Sequence, residues 1–564
     1  MQIEPAIRRF IELLGDERVR TDSGAKDQYA RSSSPQGTRP AAVVFPVSTA
    51  EVQEIARIAA QFDVPLYPIS RGNNWGYGDA CAPGDGQVIV DLRRMNRIIE
   101  VNTELAYAVI EPGVTQQQLY EHLEKSGAPL WLDVTGAGPD ASVVGNTIER
   151  GFGHSPCGDH YHMSAGYEVV LADGNVFTTG FGHYENAQAA YAFKPGIGPA
   201  LDGLFTQSNL GIVTRMGVWL IQKPEYLQAF GFKVERHEDL ARVVDALRPL
   251  RLSGVLQSTI HIANDLRGIS ASTHYPWEEM NGQTPLSAEV RTKLRRKFGL
   301  GAWNGMGGIY GTRESVRAAR IAIKKAFRGI TTVFFFDETL LNVAQKATAV
   351  MRKLGIFKSL QRQVASVLPV FDLLKGIPAR QHLYGAGWRS KGEPVDASLN
   401  PLSNRWGLMW LSPIVPMVGR AALELESLIA PIYEKFGFEP LTTMTSITPR
   451  ALCCVMTIAY DKSDPAECRR ATDCYNALFE ACMQRGFVPY RCGLNSMQKL
   501  DAHSQGYWAV VQQIKAALDP QNIIAPGRYL PGSARPNESE HAADSSAAER
   551  PQSAPKAHFE YAAK

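Results

Sequence analysis

Between Arg39 and about Gln222, apolar runs of strand length alternate with longer stretches of helical spacing. Residues 41–46 (Ala-Ala-Val-Val-Phe-Pro), 66–70, 87–92, 98–101 and 106–110 read as strands, bounded by Gly, Pro, Asn or Asp. Residues 49–60 place apolar side chains on one helical face behind a Ser/Thr cap, and 115–125 repeat that pattern after a turn at 111–114. Strands mixed irregularly with helices predict an α+β fold rather than a repeated βαβ wound sheet.

From about Glu225 to Pro489 the texture changes, with longer helical periods such as 314–328 set between strands such as 331–336 and 453–460. This half reads as a second α+β unit. A helix over 509–518 leads into Asp519-Pro520-Gln521-Asn522-Ile523-Ile524-Ala525-Pro526-Gly527. Beyond Leu530 the chain is Ser, Ala, Pro, Glu and His without period, too polar to offset its ordering entropy, so 531–564 is expected to be disordered.

The 564 residues carry 59 Lys+Arg against 56 Asp+Glu, a net charge of +3. Such a balance argues against nucleic acid as a partner, and the length predicts more than one domain. No apolar run is long enough to span a membrane. The first ten residues read as an amphipathic helix, not a signal peptide, so a cytoplasmic location is expected. The cysteines (81, 157, 453, 454, 468, 474, 482 and 492) form no CxxC and keep no spacing with histidines. They predict reduced thiols, with no zinc site and no disulfide framework.

The densest chemical signal is Pro68-Ile69-Ser70-Arg71-Gly72-Asn73-Asn74-Trp75-Gly76-Tyr77-Gly78-Asp79, a glycine-rich loop after a strand. It permits positive φ and convergence of backbone N–H groups on anionic oxygens. It is neither a Walker loop nor a GxGxxG turn. Two further small-residue segments, 142–151 and 204–214, make a dinucleotide clamp the better reading than three unrelated turns.

The order Pro-Ile-Ser-x-Gly-x-Asn-x-Gly-Tyr-Gly, Val-Gly-Asn-Thr-x-x-Arg-Gly, Gly-Asp-His, Glu-Val-Val-Leu-Ala-Asp-Gly and Ser-Asn-Leu-Gly-Ile-Val-Thr resembles the vanillyl-alcohol oxidase / p-cresol methylhydroxylase flavoproteins. The resemblance runs from about residue 40 to residue 530. It implies an α+β, two-domain FAD-binding (PCMH-type) fold. The expected parts are a helical segment 1–38, an FAD domain 39–224, an α+β cap or substrate domain 225–489 and a return to the FAD domain over 490–530. It also implies that Pro68, Ser70, Arg71, Gly72, Asn73, Asn74, Trp75, Gly76 and Tyr77 face the cofactor, the loop amides meeting its diphosphate. Ser142, Gly145, Asn146, Gly151, Gly158, Asp159 and His160 would lie along it, and Gly211, Ile212 and Val213 by the adenine. Arg528 would approach the flavin pyrimidine edge, where a cation favours the anionic reduced ring.

Tyr77, Tyr490 and Arg491 match the trio with which this family grips a phenol oxygen. A permanently charged guanidinium and two phenolic donors lower a bound phenol's pKa and ease hydride loss from the benzylic carbon toward a quinone methide. The resemblance thus implies oxidation of para-substituted phenols, ending in hydroxylation or desaturation, with O2 or a cytochrome or other carrier as acceptor and a homodimeric assembly.

Departures accompany the matches. The stretch 132–142 lacks the aspartate of the oxidases, with Ala137 nearest its place. Asp140 reads as a turn residue, and Asp133 stays open as a catalytic base. Leu408 stands where the family tethers its flavin, and nothing in the spacing of Tyr384 supports a link, so FAD is expected to be non-covalent. Cys453 and Cys454 read as buried fillers. Two alternatives remain open: an FAD-dependent oxidase of a non-phenolic alcohol or hydroxy acid, and a flavin-binding protein without catalysis.

Overall fold

The computed structural model describes residues 1–353, 367–392, 394–504 and 506–535. Residues 536–564, most of the segment read as a disordered tail, lie outside the described residues. Residues 531–535, assigned to that tail, instead pack back on the fold. Ser533 Oγ accepts from Gly527 N at 3.0 Å, and Arg535 Nη2 meets Asp63 Oδ1 at 2.8 Å.

Two larger sheets and a two-stranded antiparallel pair, Leu130–Trp131 with Ile221–Gln222, form the N-terminal part. In the first, Ala42–Val44 and Leu66–Ile69 flank Val88–Asp91 in parallel, with Val19–Arg20 antiparallel on the outer edge. The helix Thr49–Phe62 makes the crossover, opened by Ser48 Oγ accepting from Glu51 N at 3.3 Å. Its Val52, Ile55, Ala56 and Ala59 share a core with Ala6, Ile7 and Phe10 of the helix Ile3–Leu14. The second sheet is antiparallel, in the order Ile98–Asn102, Tyr107–Ile110, Ile212–Trp219, Ser164–Val170, Val176–Thr178. One βαβ unit therefore sits in an otherwise antiparallel α+β arrangement.

The later part is an antiparallel sheet. Its order is Val333–Phe336, Tyr226–Val234, Trp303–Gly311, His261–Asn264, Leu441–Thr448, Ala451–Asp461, Trp406–Leu411, with Ile414–Pro416 also on Ala451–Asp461. Side chains alternate across a strand, and here the two faces have different employment. Met409, Leu411, Met444, Cys454, Met456 and Ile458 share a core with residues of the helices Asp239–Leu252, Gly419–Lys435 and Pro465–Arg485. Their neighbours Leu408, Trp410, Thr443, Thr445, Val455 and Thr457 line a cavity.

After the helix Tyr507–Leu518 the chain returns to the first sheet, where Leu66 N donates to Ile523 O at 2.7 Å and Ala525 N to Leu66 O at 2.7 Å. Lys515 pins that return, its Nζ donating to Asn209 O (2.6 Å), Ile524 O (2.8 Å) and Asp519 Oδ2 (2.6 Å).

Candidate active site

One cavity of about 920 Å³ lies between the N-terminal sheets and the open face of the large sheet. That is within the range of cofactor and substrate sites, which run to roughly 1,000 Å³.

The loop after Leu66–Ile69 forms one wall, with Pro68, Ser70, Arg71, Gly72, Asn73, Asn74, Trp75 and Tyr77 all on it. The consecutive N–H groups of Arg71, Gly72, Asn73, Asn74 and Trp75 have no acceptor among the described residues. A run of amides left open in this way on a cavity wall fits an anionic group such as a diphosphate. Gly72 has φ 73°, and a Cβ there would fall 2.8 Å from Ala80 Cβ, so the turn requires glycine. Asp79 anchors the loop end, accepting from Ser33 N (2.6 Å), Ser33 Oγ (2.8 Å) and Ser32 Oγ (2.9 Å). Burial pushes its carboxyl up to about 6 despite those donors. Gly76 lies behind the wall, its N–H on Ser33 Oγ and its carbonyl on Trp410 N.

A second strip comes from Ser142, Gly145, Asn146 and Gly151, and a third from Gly211, Ile212 and Val213. Ser142 caps the short helix Val143–Ile148 by accepting from Gly145 N at 2.8 Å. Gly158, Asp159 and His160 do not reach the wall among the described lining residues. His160 acts one layer back, between Asn146 Oδ1 (2.6 Å) and Asp133 Oδ2 (2.6 Å). Asp159 is turned to His162 at 2.7 Å.

Asp133, open as a base on sequence grounds, is likewise off the wall. Its carboxylate is committed to His160, Ser155 N (2.7 Å) and His154 N (3.1 Å). Burial raises it, but His160 and the amide donors prevail and hold it below the usual carboxylate range. Such a group positions a loop; it has no free face to offer a substrate proton. Asp140 is an exposed turn residue 3.5 Å from Arg380.

Tyr77, Tyr490 and Arg491 converge at one end of the cavity. Arg491 lies 4.4 Å from the centre of the Tyr77 ring. Tyr77 Oη is 2.8 Å from Ser412 Oγ, and Tyr490 N donates to Ser412 O at 3.1 Å. Arg491 also donates to Asn74 Oδ1. Burial pushes the Tyr490 phenol up to about 12, with Arg491 opposing. Burial likewise takes Tyr77 well above its ordinary value.

Glu149, which no motif singled out, stands between two arginines. Arg491 Nε is 3.2 Å from Glu149 Oε2, Arg528 pairs with Oε1, and Tyr529 Oη donates to Oε2 at 2.9 Å. Burial raises the Glu149 carboxyl, yet Arg528 and Arg491 outweigh it and hold it low. The group Arg491–Glu149–Arg528 carries one net positive charge.

Three histidines missed in the sequence also line the cavity: His154, His261 and His382. His154 and His261 stack at 4.3 Å. Burial holds all three below the ordinary histidine value, His382 at about 4, so they are neutral at physiological pH. His154 follows directly on the Val-Gly-Asn-Thr-x-x-Arg-Gly motif, in Gly151-Phe152-Gly153-His154, whereas His261 and His382 stand in no motif.

The chain is similar in sequence and fold to known proteins. A family model described as "FAD binding domain" matches residues 40–180, and one for "FAD linked oxidases, C-terminal domain" matches 451–529. A 1'-carboxy-chondrochloren decarboxylase of Chondromyces crocatus is 39% identical over 93% of this chain and 97% of its own. The 4-cresol dehydrogenase flavoprotein subunit of Pseudomonas putida is 32% identical over 93% and 95%. The structure of p-cresol methylhydroxylase with substrate bound superposes with TM-score 0.84 at 30% identity, covering 94% of this chain and 97% of that one. The chain belongs to the p-cresol methylhydroxylase family of FAD-linked oxidoreductases. A family member, the 4-ethylphenol oxidase of Gulosibacter chungangensis, superposes with TM-score 0.85 at 29% identity over 94% and 98%. FAD is the cofactor, and the open amides and the cavity fit it.

Removing the Asp133 carboxylate tests its assignment to scaffolding. Asp133→Ala strands His160 and two amides, so the folded state should lose about 3 kcal/mol by chemical denaturation. Because the carboxyl is held low, this stabilisation is present above the usual carboxylate range and is lost as pH falls through the folded value. The acid limb of the wild-type stability curve should therefore flatten in the variant. Abolished turnover in a variant of wild-type stability would instead make Asp133 the base.

Proposed function

We propose that this oxidoreductase acts on para-substituted phenols at the benzylic carbon, with Tyr77, Tyr490 and Arg491 holding the phenol oxygen. The observation that carries this reading is the net positive charge buried beside two phenolic donors at one end of the cavity. A buried excess cation is unfavourable until an anion meets it, and a phenolate supplies one negative charge at that spot. Ionised there, the phenol is primed to lose a benzylic hydride and become a neutral quinone methide. Water then adds to it, or a neighbouring proton leaves to give the alkene.

Bound FAD supplies the two-electron acceptor for this chemistry. The amides of 71–75 and Arg71 would hold its diphosphate, and the Ser142–Gly151 and Gly211–Val213 strips would flank it. His154 lines the cavity, and with its Nδ1–H given to Val134 O (3.1 Å) its Nε2 is left as an acceptor. It replaces Asp133 as the group we assign to orient water.

The flavin is held without a covalent bond in this reading. Leu408 lines the cavity at the position of the family tether, and Tyr384 packs on His274 with ring centres 4.7 Å apart. A second reading is oxidative decarboxylation of an acid-bearing phenol. It draws on the Chondromyces relative, named a decarboxylase, and on an arginine of this cavity without a carboxylate partner among the described residues, Arg267. Carbon dioxide release separates it from hydroxylation.

Arg491→Met should slow anaerobic flavin reduction by a 4-alkylphenol about 100-fold or more, as loss of a preorganised charge contact does. Undiminished reduction would point to a non-phenolic alcohol or hydroxy acid instead. Acid-precipitated, washed protein should be colourless, with all FAD in the supernatant. A yellow pellet would contradict the non-covalent assignment.

A further inference from the structure

Two arginines on the cavity wall lack a carboxylate partner among the described residues, Arg71 and Arg267. Arg71 lies in the open-amide loop and is accounted for by a diphosphate. Arg267 lies elsewhere, on the helix Asp265–Ser270 that follows the cavity-facing strand His261–Asn264. The acid near it in sequence, Asp265, is taken in a two-pronged pair by Arg291 at 2.6 and 2.8 Å.

The surroundings leave space for the guanidinium rather than neutralise it. A Cβ on Gly385 would lie 2.4 Å from Arg267 Nη1, so the missing side chain there is what admits the arginine. His382, from the same 3-10 stretch Gln381–Gly387, is close enough for Arg267 to help hold its imidazole neutral, and it supplies no counter-charge. Arg267 is half-buried on the cavity wall, and a guanidinium with no counter-charge in so enclosed a place gains from a bound anion. Its planar fork matches a carboxylate, and one positive charge among neutral imidazoles suits a monoanion better than a phosphate dianion.

The sheet register gives its place relative to the phenol grip. Cys453, whose thiol lies near enough to act on Tyr77 and Tyr490, stands opposite Thr445, which stands opposite His261. Two strand spacings are about 10 Å. His382 lies near His261 and His154, and Arg267 lies near His382. The sequence of neighbours runs from grip to histidines to Arg267.

We propose that Arg267 docks a carboxylate on the para side chain, so that the natural substrate is a phenol carrying an acid group at the end remote from its hydroxyl. The assignment rests on the phenol reading for the orientation of the substrate, and on Arg267 alone for the acid.

The test uses the FAD-loaded full chain and three probes: a 4-hydroxyphenylalkanoate, its methyl ester, and its O-methyl ether. Anaerobic flavin reduction gives kcat/KM, and perturbation of the flavin spectrum gives binding. The acid should be preferred over the ester, and Arg267→Gln should lower that acid-to-ester ratio about 100-fold. Arg267→Lys should restore part of it. Gly385→Ala, which keeps the arginine but fills its place, should lower the ratio as well and serves if Arg267→Gln does not fold. The O-methyl ether should bind in an Arg267-dependent manner without reducing the flavin. An acid-to-ester ratio near one in the wild type, or one unchanged by both substitutions, overturns the proposal. Flavin reduction by the O-methyl ether would sink the phenol reading, while the acid-to-ester ratio would still decide whether Arg267 holds a carboxylate.

Discussion

The buried group Arg491–Glu149–Arg528 sets the terms for the rest of the molecule. It joins three distant stretches of chain, the helix-to-loop segment after Val143–Ile148, the Tyr490-Arg491 turn and the final return at Arg528-Tyr529. Three charged side chains at this depth, each about one-tenth exposed, are tolerable only because they satisfy one another. Their sum is not zero. The fold therefore holds one net positive charge beside Tyr77 and Tyr490.

The large sheet makes that arrangement useful by working on both faces. Strand alternation sends Met409, Cys454 and Met456 into the helical core and turns Trp410, Val455 and Thr457 to the cavity. A single sheet thus supplies stability on one side and a wall of mostly uncharged groups on the other. In an enclosed cavity each charge counts for more than it would at the surface, and outside the diphosphate loop Arg267 is the arginine of its wall without a carboxylate partner among the described residues.

Much of this was legible in the sequence. The strands at 87–92 and 98–101 and the helices at 49–60 and 115–125 carried their period and caps locally, and they appear within a few residues of the expected positions. The glycine-rich loop announced an anion site through its own composition. What stayed hidden was set by long-range pairing. Nothing around Glu149 shows that two arginines more than 300 residues later will close on it. His261 and His382 meet His154 only through the sheet and the 381–387 stretch. Asp133 misled for the same reason, since its commitment to His160 and two amides depends on a loop fold that spacing does not encode.

Everything at the Arg491 end of the cavity turns on whether a phenol binds there as its anion. Ultraviolet difference spectroscopy of the FAD-loaded protein with a non-reducing 4-substituted phenol, at a pH well below that phenol's own pKa, tests it directly. The absorption of phenolate should appear on binding to the wild type and be lost in Arg491→Met. A bound phenol that keeps its neutral spectrum in the wild type would contradict the charge-based reading of the site.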